Sequence, residues 1–191
     1  MKLIVALGNP GREYADTRHN VGWRVAEELA RRWGAGPWRE KFQAALAEAP
    51  GGGAERAVIA CPLTYMNASG QAVRALVDFW KIAPADLLVV LDDFALEVGR
   101  LRFRGEGAGG GHNGLQSVLD HLGHDQFARL RVGIGPAPSP AEYADFVLAP
   151  FAKDEWPRVA EAVGRAADAV EVWTQDGLAE AMNRCNAPRD P

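Results

Sequence analysis

The chain predicts an α/β sandwich: one domain with a central, mixed but mostly parallel twisted sheet flanked by helices. Three observations carry that prediction. Residues 3–7 and 87–91 are continuous apolar runs, the pattern of strands buried on both faces. Apolar residues recur every three or four positions in the segments that follow them, the pattern of amphipathic helices. The length of 191 residues suits one domain of about 100–200 residues, and no repeat or long linker divides it. The domain is expected over 1–186, with 187–191 as a frayed tail.

The elements follow in order. Residues 3–7 form the first strand. Val21, Val25, Leu29 and Trp33 recur every four positions, predicting a helix over 20–33. Residues 41–49 and 56–60 read as two strands joined by a turn at Gly51-Gly52-Gly53. Val73, Leu76, Val77 and Trp80 place a helix over 68–81. Residues 87–91 form another buried strand, ending at Asp92-Asp93. Residues 101–104 alternate and read as a strand, followed by a glycine-rich loop over 105–111. Leu115, Val118, Leu119 and Leu122 predict a helix over 113–122. Residues 130–134 form a strand, and Pro136, Pro138 and Pro140 mark a loop. Trp156, Val159, Val163, Ala167, Val170 and Trp173 mark a long helix, closed by Gly177, and a short helix runs on to 186.

Composition narrows the function classes. Apolar residues make up 48% and charged residues 24%, ordinary values that exclude wholesale disorder. The first apolar run is too short for a secretory signal core or for a membrane span of about 18 residues. Cys61 and Cys185 are the only cysteines, too few for a disulfide framework, so free thiols in a reducing, cytoplasmic setting are expected. The net charge of −4 points away from nucleic acid as a partner. Its distribution points the other way. Residues 100–131 hold five arginines (Arg100, Arg102, Arg104, Arg129, Arg131) against three acids (Glu106, Asp120, Asp125). Arg102 and Arg104 alternate along one strand and Arg129 and Arg131 along another, so two adjacent strands would form a basic plate for phosphates.

Several motifs are discarded on context. Gly105-Glu106-Gly107-Ala108-Gly109-Gly110 fits a dinucleotide fingerprint, with Asp125 downstream. It comes late in the chain, and Asp125 follows a helix rather than the next strand. No phosphate-loop lysine motif, nucleophile elbow, HExxH or paired CxxC occurs. Cys61, before Pro62 at a strand end with nothing cationic beside it, reads as a buried structural thiol.

The residues that look chemical are His19, Asp92 and three asparagines. His19 lies where a loop becomes a helix. Imidazole near neutral pH is the usual general base, and it needs a partner that fixes its tautomer. Asp92, at the end of a buried strand, could supply one; the alternative for His19 is a helix-capping or surface histidine. Asn9, Asn67 and Asn113 sit at glycine-rich turns, where turn geometry alone explains any single one. Together with His19 and His112 they describe a polar, uncharged site, since amides pair with peptide groups and donate to an oxyanion. The loops 8–20, 92–95 and 105–113 are expected to converge at the carboxyl edge of the sheet.

Five blocks then resemble the bacterial peptidyl-tRNA hydrolase family, in order and over nearly the whole chain. They are Gly8-Asn9-Pro10-Gly11 with Tyr14 and Thr17-Arg18-His19-Asn20; Thr64-Tyr65-Met66-Asn67 with Ser69-Gly70; Gly110-Gly111-His112-Asn113-Gly114-Leu115; Arg129-Leu130-Arg131 with Gly133-Ile134-Gly135; and Phe146-Val147-Leu148. The resemblance implies a monomeric cytoplasmic enzyme that cleaves the ester between a peptide and the 3′ end of tRNA, with no cofactor, metal or membrane. It implies His19 as the base that activates water and Asp92 as its partner. Asn9, Asn67 and Asn113 would bind the peptide end and position substrate and water. Tyr14, Tyr65, Met66 and His112 would line the cleft. Arg102, Arg104 and Arg131 would hold phosphates of the acceptor stem, and loops 105–111 and 136–150 would gate the cleft. Two positions depart from the pattern: Ala95 stands where the family usually has Asp, and Gly109 where it has Ala. Competing readings are a non-catalytic RNA-binding homologue, a generic α/β esterase and a dinucleotide-binding oxidoreductase.

Overall fold

The computed structural model describes residues 1–50, 56–137 and 139–187. Seven strands form one sheet in the order β2-β3-β4-β1-β5-β7-β6. They are β1 (Lys2–Ala6), β2 (Arg39–Lys41), β3 (Ala44–Ala49), β4 (Ala57–Pro62), β5 (Leu87–Asp93), β6 (Leu101–Arg104) and β7 (Ala128–Gly133). β4, β1, β5 and β7 run parallel in the centre, and β2, β3 and β6 complete the edges antiparallel. The expected sandwich is present. The predicted turn at Gly51-Gly52-Gly53 lies outside the described residues, as does the tail beyond Ala187.

The α-helices among the described residues are α1 (Val21–Arg32), α2 (Ser69–Trp80), α3 (Asn113–Leu122), α4 (Tyr143–Leu148), α5 (Trp156–Asp176) and α6 (Leu178–Asn186). Two cores explain the continuous apolar strands. Leu3, Val5 and Leu7 pack toward α2 and α3, while Ile4 and Ala6 pack toward α1 and α5. Each such fully buried large aliphatic side chain contributes roughly 1.5–3 kcal/mol of transfer free energy. No helix among the described residues is long and apolar enough to cross a membrane.

Two elements differ from the sequence expectation. The strand predicted over 41–49 is a hairpin, β2 and β3, turning at Phe42 and Gln43 with φ of 55° and 56°. Both turn residues carry the positive φ that a two-residue hairpin needs, without the usual glycine. The proline-rich loop contains α4, which has no buried residue and so no apolar period to read.

The topology places the site. α1 follows β1 on one face of the sheet, and α2 leads from β4 to β5 on the other. The order therefore reverses around β1, and the loops leaving the carboxyl ends of β1, β4 and β5 part to form a crevice.

Candidate active site

β5 carries Asp92 to that crevice, where it is 1% exposed. Its Oδ1 accepts two hydrogen bonds, from His19 Nδ1 at 2.7 Å and from His112 Nε2 at 2.8 Å. The two rings lie 5.0 Å apart, centroid to centroid. Leu115 N–H donates to His112 Nδ1 at 3.1 Å, so the His112 proton sits on Nε2. His19 Nδ1–H donates to Asp92 Oδ1, which leaves the Nε2 lone pair without a partner among the described residues. Asp92 Oδ2 is buried and has no partner among them either. Burial pushes the Asp92 carboxyl up, but the two histidines outweigh it and hold the group well below the usual carboxylate range.

Donor atoms of His19, Asp92 and His112 lie within 4.8 Å of one another, a spacing that suits a metal. The bonding does not fit one. Leu115 N–H already claims His112 Nδ1, so a metal on Nε2 would leave that ring with no proton at all.

Local sequence holds His19 and Asn9 in place. A Cβ at Gly8 would stand 2.5 Å from the Trp23 indole nitrogen, and one at Gly22 2.7 Å from the Leu7 carbonyl oxygen. Glycine at both lets the 8–20 loop fold back on β1. Asn20 then locks Asn9: Asn9 N–H donates to Asn20 Oδ1, and Asn20 Nδ2 donates to the Asn9 carbonyl, both at 2.9 Å. Asn9 Oδ1 accepts from Met66 N–H at 2.7 Å. The side-chain amide is thereby held at Oδ1, and its Nδ2 has no partner among the described residues. Arg18 anchors the loop from behind, donating to Glu155 at 2.7 and 3.1 Å and to the Ile134 carbonyl at 2.9 Å.

A Cβ at Gly114 would stand 2.4 Å from Met66 Sδ and 3.1 Å from His112 Cε1. Gly114 thus brings the Asn9–Met66 and His19–Asp92–His112 networks together. Asn113 opens α3 and Asn67 lies in the turn before α2, both exposed. Tyr65 is 61% exposed and meets Tyr14 edge-on, with centroids 6.4 Å apart.

The arginines occupy the β7–β6 edge. Arg102 pairs in register with Arg131, and Arg104 with Arg129, so all four start on one face. Arg102 and Arg104 are exposed and make no ion pair among the described residues. Arg131 Nε lies 3.1 Å from Asp93 Oδ2. Arg129 departs from the basic plate that strand alternation predicts. It is 2% exposed, donates to the carbonyls of Gly107 and Asp125, and stacks over Phe127. Asp125 also accepts from Gly107 N–H at 3.1 Å. Arg129 and Asp125 therefore pin the glycine-rich loop and bind no dinucleotide ribose. Cys61 is buried, which pushes its thiol far above the ordinary range, away from nucleophilic use.

The peptidyl-tRNA hydrolase family model matches residues 3–191. The chain belongs to the peptidyl-tRNA hydrolase family. The peptidyl-tRNA hydrolase of Symbiobacterium thermophilum is 50% identical over 97% of this chain and 98% of its own. That of Rhodopirellula baltica is 47% identical over 98% of both chains. The crystal structure of peptidyl-tRNA hydrolase from Acinetobacter baumannii superposes with a TM-score of 0.93 at 34% identity, covering 99% of this chain and 96% of that one.

Sequence reasoning about this family member misses two features of the site. The resemblance sets His112 along the cleft; in the structure it also shares Asp92 with His19. The available signal is its place immediately before α3, where an N-cap side chain accepts from the helix backbone and frees its other nitrogen. Asn20, which fixes Asn9, carries no signal beyond its neighbourhood to His19.

Proposed function

We propose that this member of the peptidyl-tRNA hydrolase family cleaves the peptide–ribose ester by direct attack of water, with His19 as the general base. The observation that carries the reading is the buried 2.7 Å contact between His19 Nδ1 and Asp92 Oδ1, which leaves His19 Nε2 as the open, basic nitrogen. Water bound at Nε2 gives its proton to His19 as it attacks the ester carbonyl; collapse of the tetrahedral intermediate breaks the bond to the ribose oxygen, which takes up a proton and leaves as the tRNA 3′-terminal hydroxyl. Asp92 stabilises the imidazolium that results. Its second oxygen is unpartnered among the described residues, so its negative charge is only partly offset by the protein and remains available to His19. The oxyanion of the tetrahedral intermediate needs a neutral donor. Asn9 Nδ2 suits it, because Met66 N–H holds the Oδ1 end of that amide while Asn20 holds the Asn9 backbone. Asn113 at the start of α3 supplies a second amide, and Asn67, Tyr14, Tyr65 and Met66 receive the peptide end.

Arg102, Arg104 and Arg131 take the tRNA acceptor stem in this reading. With about 4.8 Å between strands, β7 and β6 carry them one and two steps sideways from Asp92. A phosphate backbone laid across that edge puts the tRNA 3′ end at the crevice. The chain acts as a monomer, and its other partner is water.

Turnover of peptidyl-tRNA, with free tRNA as competitor, tests the function. Release of peptide together with inhibition by free tRNA is the expected result. No turnover would favour a non-catalytic RNA-binding homologue. Turnover indifferent to free tRNA would favour a generic esterase.

A further inference from the structure

We propose that Asp93 is a positioning residue for tRNA: it tethers Arg131 by Nε and so holds the guanidinium's Nη edge open for a phosphate. This rests on the reading of Arg131 as a phosphate ligand. Asp93 is 5% exposed and ends β5 directly after Asp92. Its Oδ1 accepts from Ala95 N–H at 2.9 Å, which fixes the carboxylate on its own turn. Its Oδ2 lies 3.1 Å from Arg131 Nε. That approach is an ion pair without an aligned N–H···O bond, so it fixes the position of the guanidinium more than its tilt. Arg131 Nη1 and Nη2 have no acceptor among the described residues.

Two neighbours explain why a tether is needed. Arg102 stands opposite Arg131 in register on the same face, and two like charges there repel. Gly110 covers the guanidinium from the glycine-rich loop. It has φ of 60°, and a Cβ on it would stand 2.9 Å from Arg131 Nη2. Without Asp93, Arg131 would swing from Arg102 into solvent and lose its place under that loop. Because Asp92 and Asp93 are adjacent on one strand, the tether also fixes the phosphate's place relative to His19.

KM and kcat on peptidyl-tRNA across a salt series, and kcat/KM on a small N-acyl ester, test this in D93A, D93N and R131A. Asn keeps the bond to Ala95 but not the charge that holds Arg131; Ala keeps neither. The tether predicts that D93A raises KM on peptidyl-tRNA about three- to tenfold, the scale of one charge-assisted contact. It predicts the same rise in D93N, an unchanged kcat, and no effect on the small ester; a rise in D93A alone would place the effect in the turn at Ala95 and overturn the tether. A lower KM in both variants would overturn it, since Asp93 would then be an anion competing with phosphate. Equal losses on both substrates would overturn it in favour of a role in the fold. If R131A leaves KM unchanged, the reading of Arg131 fails; if R131A raises KM and D93A does not, only the tether fails.

Discussion

The His19–Asp92–His112 centre and the arginine edge on β6 and β7 solve opposite problems. In the centre every group is buried, and each orientation is set by a partner: Leu115 fixes His112, Asp92 fixes His19, and Asn20 fixes Asn9. At the edge, Arg102 and Arg104 are exposed and pair with no acid among the described residues. Proton transfer depends on tenths of an ångström and on exclusion of water. Attraction of a polyanion acts over a Debye length of about 8–10 Å and tolerates mobile side chains. In the proposed reading, burial more than charge separates the groups that move the proton from the residues that gather the substrate. Arg129 marks the boundary. It shares its strand face with Arg131, yet burial gives it a structural task.

The sharpest break of this comparison is Asp92→Asn. It keeps the shape but removes the charge that His19 needs, so kcat on peptidyl-tRNA falls about 10²–10⁴-fold, while KM and the salt dependence stay near wild type. Arg131→Ala and Arg104→Ala give the converse. KM for peptidyl-tRNA rises severalfold, and small esters are cleaved as before. The slope of log affinity against log salt becomes shallower by about 0.7–0.9 for each phosphate that the protein no longer neutralises.

Arg129→Ala separates the two kinds of arginine. It leaves the Gly107 and Asp125 carbonyls without their donor, costs about 1–3 kcal/mol in denaturant unfolding, and leaves the salt slope unchanged. A changed salt slope with normal stability would return Arg129 to the plate.

The smallest effect is on stability against pH. Asp92 is held below its unfolded value, which is about 3.9. Its stabilisation is therefore fully present above that value and is lost as pH falls through the depressed folded value. Thermal unfolding between about pH 5 and pH 2 should show a steeper loss in wild type than in Asp92→Asn. Parallel curves would contradict the pairing.

The fold was legible where burial leaves a period. Residues 3–7 and 87–91 are apolar because both faces of those strands are covered, and α1, α2, α3 and α5 show the spacing of one buried stripe. β2 was not legible, because Arg39, Glu40 and Lys41 are all exposed and the turn at Phe42-Gln43 lacks turn residues. α4 was hidden for the same reason. At the site, His19 and Asp92 could be paired by residue type, one at a loop–helix junction and the other at the end of a buried strand. The second bond to Asp92 from His112 depends on closure between β5 and α3, which no spacing encodes. Alternation placed Arg129 and Arg131 on one face correctly but could not show that carbonyls of the glycine-rich loop would claim one of them.

Binding and turnover of peptidyl-tRNA by His19→Ala, measured side by side, test the central claim most directly. The account predicts wild-type affinity and an unchanged fold, with turnover reduced at least about 10²–10⁴-fold. Turnover near the wild-type rate would show that another group activates the water.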